Sequence, residues 1–236
     1  MIVFDASGSM SGNQTLGIPN SRARIDEVRS ALALSLKAGL VATALALVLG
    51  SCAAFAIHRM RFFGREAVSL LFVLPLALPG IITGMALNAF FHFSGVSLST
   101  LTIVVGHTTF CIVVVYNNVL ARLRRTQGSL IEAAMDLGAN GWQAFRDVTL
   151  PLISTSVVAG AMLAFALSFD EVIVTTFTAG AQNTLPLWIF GAIRLGQRLP
   201  EVNVVVSFVI LVTIVPVIIA ARLTGGSGAA RAQAAR

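Results

Sequence analysis

Five blocks of this chain are each about as long, and as apolar, as a bilayer is thick. They run approximately over residues 31–57, 68–91, 98–116, 152–177 and 202–221, and a helix needs about 20 apolar residues to cross a hydrocarbon core. Helix is the only conformation open to them, because lipid offers no water to an open strand's backbone groups. The expected fold is therefore all-α, a polytopic transmembrane helical bundle of about five spans. Charge content agrees: 11% of residues are charged, where a soluble domain carries about a quarter. Residues 1–30 form a non-membrane N-terminal segment on this reading, residues 31–222 the membrane domain, and residues 223–236 a disordered cytoplasmic tail.

The net charge of +6 raises the question of nucleic acid. The positions of the charges answer it. Arg59, Arg61 and Arg65 share one short connection, Arg122, Arg124 and Arg125 open another, and Arg222 follows the last apolar block. Such clusters beside apolar segments obey the positive-inside rule, and the partner they imply is membrane lipid. The interleaved aromatic and basic face of a nucleic-acid binder is missing, so no nucleic-acid partner is expected. Connections 58–67 and 117–151 plus the tail hold ten of the sixteen Lys and Arg residues; Arg22, Arg24, Arg29, Arg194 and Arg198 stand on the other side. That split puts the two connections and the C-terminus in the cytoplasm and, by parity, the N-terminus outside. Cys52 and Cys111 fall inside apolar blocks without metal-ligand or disulfide-framework spacing, and are expected to act as small buried hydrophobes.

Within the second block, VLPLALPGIITG carries Pro75 and Pro79. Proline removes a backbone donor and kinks a helix. Gly80 and Gly84 add a small-xxx-small face for close helix approach. Two readings stay open here: a kinked, tightly packed helix, or a gating hinge. His92 and His107 have no acidic neighbour at helical spacing and are assigned no role beyond structure.

The connection 117–151 is too long for a minimal turn and too apolar for a flexible linker. Ser129 and Glu132 form a capping-box pattern for a helix starting near Leu130. Ile131, Ala134, Met135 and Leu137 follow as a short amphipathic stretch, Gly138 ends it, and Trp142, Phe145 and Val148 begin a second segment. A surface helix–Gly–helix with an apolar side fits a groove on another protein. The run EAAMDLGANGWQAFRDVTLP resembles the EAA loop of ABC importer permeases, through Glu132, Ala133, Ala134, Gly138, Val148, Leu150 and Pro151, with Val148 where isoleucine is commoner. The resemblance implies a type I ABC importer permease fold and a coupling helix that docks into a cleft of a separate ATPase subunit. Ala133 and Ala134 would then permit close docking, Gly138 the turn, and Glu132 a polar contact or cap. No G-x-x-x-x-G-K-[ST] phosphate loop occurs in the chain, so no catalytic residue and no cofactor of its own is expected, ATP and Mg being bound by the partner ATPase.

Asp170 and Glu171 stand late in the fourth block, in LAFALSFDEV. Ionisable groups at membrane depth cost several kcal/mol and mark function; if the span ends at Phe169 instead, the pair is interfacial. From Ser35 onward the chain resembles the spermidine/putrescine class of permease subunit, including the Ser-Phe-Asp-acidic run, Thr178–Ala181, Leu185–Pro186–Leu187 and Pro200–Asn203. The resemblance implies a bacterial inner-membrane protein that works with an ATPase dimer, a second permease subunit and an external substrate-binding protein. It also makes Asp170, then Glu171, the choice for the path of a polycation, since carboxylates replace water around ammonium groups.

Permeases of that class have six spans beginning in the cytoplasm, so the first span is expected to be missing here. In its place, residues 1–32 resemble the opening strand and metal-site loop of a von Willebrand factor A domain, with D-x-S-x-S at Asp5, Ser7 and Ser9. About thirty residues cannot build that domain, so the segment reads as a fused, truncated or mis-assembled fragment and no metal site is expected. Two rival functions stay in view. A stand-alone secondary transporter would call for an internal repeat, and a membrane-anchored metal-binding adhesion or scaffold protein would call for a complete soluble domain.

Overall fold

The computed structural model describes residues 18–60, 63–196, 199–211 and 214, with side chains from residue 25. The D-x-S-x-S motif and residues 215–236 lie outside the described residues. Two compact units divide the chain, residues 1–188 and 189–236. In order, the helices are α1 (Ile18–Arg59), α2 (Arg65–Ala77), α3 (Gly80–Phe93), α4 (Thr100–Arg125), α5 (Ser129–Asp136), α6 (Gly141–Gln143), a π-helical turn (Ala144–Thr149), α7 (Leu150–Asp170), α8 (Ile173–Thr178), α9 (Leu185–Arg194) and α10 (Leu199–Leu211).

Helix α4 is the axis of the first unit, with fourteen buried residues along its length. α1 lies against it along a ladder of small side chains: Ala38, Ala42, Ala46 and Ala54 are each fully buried at four-residue spacing, with buried Gly50 completing the series. Residues four apart share a helix face, so the ladder strips one side of α1 of bulk. The result is backbone-level approach. A Cβ at Gly50 would stand 2.9 Å from Ile112 O and 3.0 Å from Val115 Cβ. α7 closes on α4 from another side, where a Cβ at Gly160 would meet Val115 Cα at 3.4 Å. α2 is fastened to the same helix by Tyr116, whose hydroxyl is 2.8 Å from Ser69 Oγ and whose ring stacks on Phe72 at 5.0 Å. The outer sides stay apolar: Leu40, Leu45, Val48 and Leu49 of α1 are exposed, as a lipid-facing surface requires.

Among the described residues, three helices are long and apolar enough to cross a membrane, beginning at Ile25, Thr100 and Gly141, and a fourth span results if the bent pair α2–α3 counts as one. The fifth expected block is described only through α10, an apolar helix of the second unit with Val204, Phe208 and Leu211 exposed. Three expectations are corrected. The second block is not one kinked helix: α2 and α3 meet at 101°. Pro79 forces the break, since it cannot donate to the helix and drives Leu78 to an extended ψ of 143°. The fourth block does not run to Phe177, because α7 stops at Asp170 and the chain turns before α8. Cys111 is buried as expected, but Cys52 is exposed on α1. No break marks residue 30, where α1 continues from the polar RARIDEVR stretch straight into its apolar part.

Arg59, Arg65, Arg122, Arg124 and Arg125 sit at the ends of α1, α2 and α4 that meet at one end of the bundle. The positive-inside rule assigns that end to the cytoplasm.

Replacing Gly50 by Val is expected to push α1 off α4 and destabilise the protein by about 1–3 kcal/mol, the range for overpacking. Gly128→Ala, with open space around the new Cβ, is expected to leave stability unchanged. Thermal unfolding of the detergent-solubilised variants measures both.

Candidate functional site

The residues singled out by sequence gather at two places, one at each end of α7. At the arginine-bearing end, α5 starts with backbone bonds alone: the Glu132 N–H donates to Gly128 O at 3.1 Å, and no side chain caps it. The expected Ser129–Glu132 capping box is not formed. The helix begins one residue earlier than that box needs, so Ser129 is already its first helical residue and Gly128 takes the cap position.

The end of α5 is closed by a Schellman cap. Gly138 takes φ +91°, its N–H donates to Met135 O at 2.9 Å, and the Ala139 N–H donates to Ala134 O at 3.0 Å. Only glycine adopts that φ without strain, which is why the helix stops here. Asn140 then opens α6 with the capping box that is absent at Ser129: the Gln143 N–H donates to Asn140 Oδ1 at 2.9 Å, and the Asn140 N–H donates to Gln143 Oε1 at 2.8 Å. The π-helical turn before α7 coincides with Pro151. A proline ring clashes with the carbonyl four residues back, and a wider turn relieves that clash. There the Leu150 N–H reaches Phe145 O, five residues earlier.

None of α5 is buried. Ala134 is half-buried, while Glu132, Ala133 and Gly138 are exposed; Val148 is half-buried, and Leu150 and Pro151 are exposed. The expected amphipathic set divides between two sides. Ile131 turns inward onto a cavity of about 230 Å³ shared with Phe55, Leu123, Ala144 and Phe145. Leu130, Met135 and Leu137 turn outward, Leu137 to 90% exposure, beside Trp142 at 67%. Trp142 rests on Phe145, and Phe145 meets Phe55 of α1 edge-on at 5.4 Å. The loop is anchored on one side and bare on the other.

At the far end of α7 the two carboxylates part company. Glu171 is half-buried, and its Oε1 accepts the Val174 N–H at 2.9 Å, capping α8. Asp170 is exposed and has no hydrogen-bond or ion-pair partner among the described residues. Depth decides between the two readings of this pair. Arg122 Nε donates to Leu152 O at 2.9 Å and marks the arginine-bearing edge of the bundle. Asp170 lies 18 residues further along, about 27 Å at the helical rise, against a hydrocarbon core of about 30 Å. The pair stands at the outer edge of the apolar slab, not at its centre.

The short α8 is clasped on two sides. The Asn88 amide of α3 donates to Phe177 O at 2.6 Å, and Thr102 Oγ1 of α4 lies 2.7 Å from Thr178 O. Glycines admit it: a Cβ at Gly84 would stand 2.6 Å from Phe177 Cδ2, and one at Gly106 would stand 3.2 Å from Val174 Cγ1. The small face expected at Gly80 and Gly84 thus receives α8, a partner that sequence reasoning did not find. Asn88, Thr102 and His107, which hold α8, were likewise missed. Their one signal is that they are polar residues inside apolar blocks.

A broken-helix bundle with an exposed helix–Gly–helix on its cytoplasmic side is the architecture of an ABC importer permease, and the comparisons agree. The family described as "Binding-protein-dependent transport system inner membrane component" matches residues 46–226, and the chain belongs to it. It is a permease subunit of an ABC importer, located in the inner membrane. The putrescine transport system permease protein PotI of Escherichia coli (strain K12) is 36% identical over 195 residues, covering 79% of this chain and 69% of that one. The spermidine/putrescine transport system permease protein PotC of Haemophilus influenzae is 34% identical over 184 residues, with 78% and 71% covered. Two solved structures share the fold. An amino acid ABC transporter with histidines matches at TM-score 0.64 and 16% identity, over 84% of this chain and 92% of that one. The inward-facing MetNI methionine ABC transporter matches at TM-score 0.63 and 21% identity, over 85% and 94%.

Gly138→Ala is expected to strain the α5 cap by about 1–2 kcal/mol, and Asn140→Ala to cost α6 about 1 kcal/mol. Hydrogen exchange is expected to quicken over residues 129–145 in both variants and to stay native in α4.

Proposed function

We propose that this permease forms the translocation path for a polyamine, putrescine or spermidine, and that α5 is the element through which a separate ATPase dimer drives it. The observation that carries the coupling half is the bare outer side of the loop. Leu137 and Trp142 stand exposed beside a rigid Schellman cap, on the side of the bundle where ATP is available. A preformed helix end with apolar neighbours suits a cleft on another protein. Glu132, Ala133, Ala134, Gly138, Val148, Leu150 and Pro151 fall into two groups on this reading. Glu132, Ala133 and Ala134 meet the ATPase, whereas Gly138, Val148, Leu150 and Pro151 set the angle at which the loop leaves the bundle.

The substrate half rests on the permeases named PotI and PotC and on Asp170. A carboxylate without a protein partner at the outer edge of the slab suits a protonated amine, which gains a charge-assisted hydrogen bond as it sheds water. Glu171 supports the same site by holding the turn. A second permease subunit completes the path, and an external binding protein delivers the substrate. ATP and Mg belong to the ATPase, and the chain needs no cofactor of its own.

Co-purification from membranes tests the coupling half. Leu137→Asp and Ala134→Arg are expected to lower the ATPase recovered with the permease by roughly tenfold, about 1.4 kcal/mol of lost docking. Native recovery with both variants would sink it. For the substrate half, Asp170→Asn is expected to raise the apparent KM for labelled putrescine by roughly tenfold while the ATPase stays bound; an unchanged KM would remove Asp170 from the path.

A further inference from the structure

His107 lies on α4 with both ring nitrogens engaged. Nδ1 is 2.7 Å from Ser168 Oγ on α7, and Nε2 is 2.8 Å from Thr175 Oγ1 on α8. All three side chains are buried. Thr175 Oγ1 also donates to the carbonyl of Glu171 at 2.6 Å. These distances fix the protons. A carbonyl only accepts, so the single Thr175 proton is committed to Glu171 O. Thr175 must therefore accept from Nε2–H, which leaves Nδ1 free to accept the Ser168 O–H. One directed chain results, from Ser168 to the ring, from the ring to Thr175, and from Thr175 to the first carbonyl beyond α7.

We propose that His107 is a positioning residue for the carboxylate turn, acting through Thr175 to set the direction in which Asp170 is presented. Glu171 is then held at two points. Its carbonyl takes the Thr175 proton, and its carboxylate takes the Val174 N–H. With Glu171 fixed, the adjoining Asp170 has one outlet, toward the exposed side. Packing alone would not need the ring nitrogens, because a phenyl ring fills the same space. What the imidazole adds is one donor and one acceptor, aimed at two helices that separate where the carboxylates stand. The proposal rests on the reading that Asp170 meets the cationic substrate.

The test uses the full chain in its membrane complex. His107→Phe and Thr175→Val are expected to raise the apparent KM for radiolabelled putrescine about fivefold, the size of one lost buried hydrogen bond. Vmax per assembled complex is expected to stay within about twofold of native. His107→Gln is expected to restore a near-native KM, because its amide N–H can replace Nε2–H toward Thr175. A second arm needs no transport. In a Cys52→Ala background, Asp170→Cys is labelled with a hydrophilic maleimide, and adding Thr175→Val is expected to change the labelling rate about fivefold.

Native KM and native labelling in folded complexes overturn the proposal. So does a His107→Phe variant that lowers only the yield of complex, keeps a native KM and is not rescued by Gln. Altered labelling with an unchanged putrescine KM upholds the positioning role and removes the substrate-path reading instead. Thr175→Val keeps the side chain's shape, so a folded variant remains for both arms if the His107 changes prevent assembly.

Discussion

The approach of α1 to α4 at Gly50 is the contact on which the rest of the first unit depends. Lipid tails are as apolar as leucine, so a membrane does not squeeze helices together as water does, and close van der Waals packing must hold them. The small ladder of α1 supplies that packing, with room for no more than a hydrogen between Gly50 and the α4 backbone. Once α4 is fixed, the other elements are placed from it. α2 hangs on Tyr116, α7 on the flat at Gly160, and α8 on Thr102 and His107. Each of these contacts is made to α4 itself, so a shift of α4 would disturb them together.

Breaking helices near lipid carries its own cost, since a backbone group freed by a break has no water to turn to. The breaks at Pro79 and at Glu171 share a solution. α3, which follows the first, carries Asn88 to Phe177 O; Glu171 at the second caps α8 with its own carboxylate. Threonine does the remaining work: Thr175 reaches Glu171 O, and Thr178 bonds back to Val174 O. A run of threonines in an apolar block thus has a physical reason. Each brings a hydroxyl for the backbone and a methyl for the core.

The helical class, the number of apolar blocks and the loop with its glycine were legible because they rest on local rules: block length, charge position and the φ that only glycine tolerates. Gly138 illustrates this, since the Schellman cap needs nothing beyond its own six residues, 134–139. What was not legible depended on distant partners. The 101° break at Pro79 accompanies the packing of α8 against Gly84, a partner from the other half of the unit that no local rule names. The end of α7 at Asp170 was hidden because EVIVTTFT continues the apolar pattern without a Gly or Pro to interrupt it. Glu171 read as half of a functional pair, yet its side chain is occupied three residues away. His107 has no acidic neighbour at helical spacing to mark it, and its partners are hydroxyls sixty-odd positions along the chain.

The two candidate sites lie far apart, but one helix carries both. From Gly141 through the π-helical turn to Asp170 the chain is helical for 30 residues without a break, about 45 Å at the ordinary rise. An unbroken helix is stiff along its axis, so a push on Trp142 has few places to be absorbed before it reaches the carboxylates. The ordinary register is interrupted at the π-helical turn Ala144–Thr149, where the hydrogen bonding widens ahead of Pro151. Phe145 within that turn is clamped by Trp142 on one side and Phe55 on the other. The clamp ties the π-helical turn to α1, the helix that packs closely against α4 at Gly50. On the proposed coupling role, a shift at the loop reaches the carboxylates along α7, the helix that joins the two sites.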